Sequence, residues 1–159
     1  MTIQIGEHIP LATLNTLKDG VQAVTTDAIF KGRKVVLFSV PGAFTPTCSA
    51  KHLPGYAERL DEFTAKGIDV ACMSVNDAFV MDAWAKSQNV PEGLTMLADG
   101  NGVFAEQLGL KFDASAFGMG QRAKRFALYA EDGVVKALHV EAPGEFKVSS
   151  AEAMLAAIG

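Results

Sequence analysis

Hydrophobic and polar positions fall in blocks along the chain, and each block has its own period. Val35-Val36-Leu37-Phe38-Ser39-Val40 is a continuous, β-branched apolar run that predicts a fully buried strand, stopped by the turn signal Pro41-Gly42. From about Thr47 to Lys66 the period becomes three and four. Leu53, Tyr56, Ala57, Leu60 and Phe63 then share one helical face, and Gly67 is placed as the stop. Pro54 lies inside that pattern and is expected to kink or interrupt the helix near its first turns. Ile68 to Val75 reads as a second buried strand. Asn76 and Asp77 then cap a helix to about Gln88, with Phe79 and Trp84 expected in the core. Leu94 to Ala98 predicts a third strand and Val103 to Leu108 a short helix. Two hairpins are expected. One turns at Lys18-Asp19-Gly20, and the other joins Arg125–Ala130 to Val134–Val140 through Glu131-Asp132-Gly133. Ser149 with Glu152 makes a capping box that opens a final helix to Ile158.

Strands alternating with helices, followed by a hairpin and a last helix, describe an α/β chain. The order matches a thioredoxin-type fold with insertions: a central mixed sheet flanked by helices, with an N-terminal hairpin extension. Neither a repeat nor a Gly/Ser/Pro linker divides residues 1–159, so one domain is expected. Composition narrows the function classes. At 49% hydrophobic and 20% charged the chain has the balance of a soluble globular protein, and its net charge of −4 gives no reason to expect nucleic acid. No apolar run approaches the length of a membrane span, and MTIQIGEHIP has neither the basic start nor the apolar stretch of a secretory signal. A cytoplasmic location is therefore expected.

Cys48 and Cys72 are too few for a disulfide scaffold, so each thiol is judged by its surroundings. Cys48 follows a buried strand and a turn and stands in the first turn of a helix, where free backbone N–H groups and the helix dipole favour an anion. The thiolate is the nucleophilic form of cysteine. Pro41-Gly42-Ala43-Phe44-Thr45-Pro46-Thr47 surrounds it with stiff and apolar residues that limit access to small substrates. Thr45, three residues earlier, is close enough in sequence for its hydroxyl to reach the sulfur or a bound oxygen. A C-x-x-C redox motif would need a cysteine where Thr45 stands, so the local disulfide of a thioredoxin is ruled out.

The run Pro41-Gly42-Ala43-Phe44-Thr45-Pro46-Thr47-Cys48-Ser49 closely resembles the peroxidatic-cysteine motif of peroxiredoxins, and more narrowly the peroxiredoxin 5, or plant type II, branch. His52-Leu53-Pro54-Gly55-Tyr56, the stretch from Val70 to Phe79, Leu97-Ala98-Asp99-Gly100-Asn101-Gly102 and Lys124-Arg125-Phe126 extend the resemblance over nearly the whole chain. The resemblance implies a thiol peroxidase acting on hydrogen peroxide and organic hydroperoxides through a Cys48 sulfenic acid. It assigns Cys48 as peroxidatic cysteine, Thr45 as the threonine on the peroxide and Pro41 as the proline that shields the sulfur. Arg122 takes the place of the arginine near the sulfur, with Arg125 the weaker candidate. A homodimer is implied as well, with Phe117 and Gly118 near its contact.

The chain departs from the branch at Phe146-Lys147-Val148-Ser149-Ser150, where some members carry a resolving cysteine and this one has none. Cys72, within the second strand, reads as a small buried hydrophobe. A one-cysteine mechanism is expected, with glutathione, glutaredoxin or both as reductant. The competing reading is a thiol–disulfide transferase or glutathione-binding thioredoxin-like protein using Cys48. No cofactor is expected. His8, His52 and His139 are too scattered for a metal, and His52 is expected on a helix surface.

Overall fold

The computed structural model describes Met1–Gly159. Seven strands form one mixed sheet in the order β2-β1-β5-β4-β3-β8-β9. The centre is parallel: β3 (Lys34–Ser39) pairs β4 (Ile68–Ser74), and β4 pairs β5 (Leu94–Ala98). These are the three apolar runs of the sequence, and only strands covered on both faces read that way. On one flank β8 (Phe126–Glu131) and β9 (Val134–Val140) add antiparallel, turning through Asp132 and Gly133, both at positive φ. On the other flank the hairpin of β1 (Thr13–Leu17) and β2 (Val21–Thr25) adds antiparallel to β5. The thioredoxin-type mixed sheet with an N-terminal hairpin is thus the observed architecture.

Strand alternation sends the core to both sides of the sheet. Val36, Phe38, Val70, Cys72, Ala127 and Tyr129 face one layer, shared with Cys48, Tyr56, Phe63, Trp84 and Met154. Val35, Leu37, Ala71, Met73, Phe126 and Leu128 face the other, packed with Phe30, Phe104 and Leu108. Helices α2 (Leu53–Glu58), α3 (Leu60–Ala65), α4 (Ala78–Ser87) and α6 (Ala151–Ile158) contribute to the first layer. The second is covered by α1 (Thr26–Phe30) and α5 (Val103–Leu108). No helix is long and apolar enough to cross a membrane.

The structure departs from the sequence expectation at several places in the fold. The helix expected from about Thr47 to Lys66 is three pieces: a π-helical turn at Cys48–His52, then α2, then α3 after a break at Arg59. Pro54 has no N–H for an ordinary i→i−4 bond, and the wider turn before it is closed by the Leu53 N–H on the Cys48 carbonyl. A two-stranded ribbon of β6 (Lys111–Asp113) and β7 (Gln121–Ala123) arises where no strand was predicted. Phe79 is exposed rather than in the core, whereas Trp84 is fully buried. Finally, Ser150, not Ser149, caps α6, its hydroxyl accepting from the Ala153 N–H. Ser149 is buried and engaged elsewhere.

Candidate active site

Cys48 sits where β3 hands over to the first-layer helices, and its side chain is fully buried. The intervening loop is held at several points. The Val40 N–H donates to the Met73 carbonyl, and the Ala43 N–H donates to Asn76 Oδ1 at 3.0 Å, tying the loop to the end of β4. Phe44 takes a left-handed conformation at φ 65°, an uncommon state for a bulky residue. Behind the loop, Trp84 Nε1 donates to Ser49 Oγ at 3.0 Å and anchors the Cys48 turn to α4. Asn76 and Trp84 are structural supports that the sequence offered only as a helix cap and a core residue.

The sulfur is met by an arginine. Arg125 Nη2 donates to Cys48 Sγ at 3.1 Å, and its Nη1 lies 2.8 Å from His52 Nδ1. A guanidinium donor at that distance stabilises negative charge on the sulfur and points a fixed fork into the site. Arg125 immediately precedes β8 and shares parity with Ala127 and Tyr129, which face the Cys48 layer, whereas Phe126 faces the opposite one. Arg122, the arginine assigned to the sulfur from the resemblance, lies on the β6–β7 ribbon. It donates from Nε to the Met119 carbonyl at 2.9 Å. Its Nη1 packs against Gly42, where an added Cβ would come within 3.2 Å of it and of Thr45 Cγ2. Arg122 therefore borders the Pro41–Thr45 loop, and the residue on the sulfur is Arg125.

Thr45 is partly buried and donates its hydroxyl proton to the Gly42 carbonyl at 2.7 Å, leaving oxygen lone pairs to accept a further donor. Pro41 opens the same loop and is also partly buried. His52, expected on a surface, is fully buried between Phe38 and Phe146, each with its ring centroid 4.9 Å away. Burial first, and the Arg125 charge second, push its pKa down to about 3. The ring is neutral and cannot serve as a base for the thiol. Its Nε2 lies 3.1 Å from the Ser149 carbonyl, which only accepts, so Nε2 carries the proton and Nδ1 accepts from Arg125.

Cys72 faces the same layer from β4 and is fully buried. Burial, then the Cys48 sulfur, push its thiol well above the ordinary range against a smaller opposing pull from Arg125. A thiol so raised is held in its protonated, weakly nucleophilic form. No three His, Cys, Asp or Glu side chains gather into a metal site.

Comparison with known proteins gives the family. The redoxin family model matches residues 4–155. Peroxiredoxin-2E of Arabidopsis thaliana, a chloroplastic protein, is 47% identical over 99% of this chain and 70% of its own length. Peroxiredoxin-2B of the same plant is 43% identical over 98% of both. The crystal structure of reduced Prx3 from Vibrio vulnificus in complex with hydrogen peroxide superposes with a TM-score of 0.95. It is 50% identical, covering 99% of this chain and 100% of that one. On family match, sequence and fold together, the chain belongs to the redoxin family and, within it, to the peroxiredoxins, the thiol peroxidases among the oxidoreductases.

Proposed function

We propose that Cys48 is the nucleophile of a peroxidase that reduces hydrogen peroxide and organic hydroperoxides and is recycled by an external thiol. The observation that carries this reading is the Arg125 Nη2 donor 3.1 Å from Cys48 Sγ, at a sulfur wholly removed from solvent. A sulfur so enclosed selects a small oxidant over a protein disulfide. The thiolate attacks one peroxide oxygen, the O–O bond breaks, and the departing oxygen leaves as an alkoxide or hydroxide that takes a proton to become alcohol or water. Arg125 stabilises the charge moving through that step. Thr45, with its own proton already given to Gly42, accepts from the peroxide hydroxyl, and Arg122 flanks it against Gly42. Pro41, a stiff residue at the head of the loop, shields the sulfur. The relative crystallised with hydrogen peroxide supports the choice of substrate.

The product is a Cys48 sulfenic acid. With Cys72 held inside β4, the reductant in this reading is glutathione, directly or through glutaredoxin. Two thiols convert the sulfenic acid back to thiol, releasing water and a disulfide. The π-helical Cys48–His52 turn must open for that thiol to reach the sulfur. The enzyme is proposed to work as a homodimer through the exposed Phe44, Phe79 and Phe117. The Ala43–Asn76 bond and the Met119–Gly42 contact draw their segments together around the loop. Stopped-flow oxidation of pre-reduced protein, followed by fluorescence of the single tryptophan beside Ser49, tests the nucleophile. A fast phase lost in Cys48→Ser is expected; a rate equal to that of a free thiol removes the assignment. Mass spectrometry after peroxide should show Cys48 sulfenic acid or its glutathione adduct. An intramolecular Cys48–Cys72 disulfide as main product would overturn the one-cysteine cycle.

A further inference from the structure

Glu141 is a buried carboxylate, 7% exposed, whose contacts are all neutral donors. The backbone N–H groups of Lys147, Val148 and Ser149 donate to it at 2.8 to 2.9 Å, and Ser149 Oγ at 2.6 Å. Burial by itself would raise this carboxyl; the Ser149 hydroxyl and these N–H groups outweigh it and hold it below the ordinary range. A charge kept inside without an ionic partner is weak support for stability, which directs attention to what it holds in place.

It holds Ser149. The Ser149 carbonyl in turn accepts from Tyr56 Oη at 2.7 Å and from His52 Nε2 at 3.1 Å. With Nε2 committed there, His52 can offer only its Nδ1 lone pair to Arg125, at 2.8 Å, and the other arm of that guanidinium reaches Cys48 Sγ. The backbone closes the circuit, since the Glu141 N–H donates to the Arg125 carbonyl at 3.0 Å. Phe146, carried on the segment that Glu141 pins, covers both partners. Its ring centroid is 4.9 Å from that of His52 and 5.8 Å from the Arg125 guanidinium carbon.

Resting on the assignment of Cys48 above, we propose that Glu141 is a positioning residue of the peroxidase site, holding Arg125 on the sulfur through Ser149 and the His52 ring. Its side chain bonds only to Lys147, Val148 and Ser149, and it reaches the sulfur through them. It fixes the guanidinium whose placement the reaction needs, and a guanidinium free to swing would share its time between sulfur, His52 and water.

The test is a double-mutant cycle between Glu141→Gln and Arg125→Ala, read as the rate of Cys48 oxidation by hydrogen peroxide in reduced, full-length protein. Gln keeps the size and the backbone bond to Arg125 but puts a donor among donors. Glu141→Gln is expected to slow oxidation about tenfold in the native background and to add almost nothing in the Arg125→Ala background. Two losses that multiply would mean that Glu141 acts only on general stability, and the proposal would fall. Should Glu141→Gln not fold, Ser149→Ala carries the same cycle with the same two outcomes, since it removes only the 2.6 Å hydroxyl contact. If Arg125→Ala alone leaves the rate untouched, the assignment of the site itself fails, a result separate from additivity.

Discussion

His52 makes the protein's stability depend on pH from well above the range where ordinary carboxylates titrate. In the folded chain it takes a proton only near pH 3, because the ring is buried and faces the Arg125 guanidinium. In the unfolded chain it titrates near the ordinary value of 6.5. Between those values the unfolded state binds a proton that the folded state refuses. Stability is therefore complete above pH 6.5 and is lost as pH falls toward 3, at up to about 1.4 kcal/mol per unit. From pH 7 to pH 5 the loss from this one group is about 2 kcal/mol. Glu141, held low, adds a loss of the same sign only at more acid pH, whereas Asp99, raised by burial, acts in the opposite sense. Urea unfolding of the reduced protein at both pH values, followed by Trp84 fluorescence, measures the difference. His52→Phe keeps an aromatic ring between Phe38 and Phe146 and removes the titration. The variant is less stable at pH 7, with Arg125 Nη1 lacking its acceptor, yet should lose about 2 kcal/mol less than wild type on going to pH 5. Equal losses in the two proteins would refute a buried neutral histidine at the site.

The two arginines separate by kinetics: Arg125→Ala should slow peroxide oxidation of Cys48 about a hundredfold. Arg122→Ala, which removes a flank of Gly42 and Thr45 rather than a donor to the sulfur, should slow it less. Stopped-flow rates in the reverse order would restore Arg122 to the sulfur. Gly109→Ala should lower stability by about 2 kcal/mol or more, measured as a fall in Tm. Gly109 sits at φ 71° with the Met1 backbone where a Cβ would go, and the adjacent Ile3 N–H docks on the Leu108 carbonyl. An unchanged Tm would mean that the N-terminal segment does not pack there.

Short-range physics was readable from the residues. Val35–Val40 could be satisfied only between two covered faces, and β3 lies there. Asp132-Gly133 supplies the positive φ that a tight hairpin needs, and Asp77 caps α4 through the Val80 N–H at 2.8 Å. The placement of Cys48 in a first helical turn after a buried strand was likewise local information. What the linear order withheld were partners far apart along the chain. Arg125 and Cys48 are 77 residues apart, Arg125 and His52 73, and His52 and Ser149 97. Choosing Arg125 over Arg122 requires knowing which sheet face the residue before β8 shares, and that face exists only once β3 and β8 have paired. The same holds for Ser149, which looks like a helix cap until Glu141 folds onto it. It holds for His52 too: a residue expected on a helix surface is buried only by packing. The sequence by itself determined the three central strands, both hairpins and the placement of Cys48 just after β3, because those depend on neighbours within a turn or two. The tertiary structure decided which charge meets the sulfur, because burial and long-range hydrogen bonds appear only when the sheet closes.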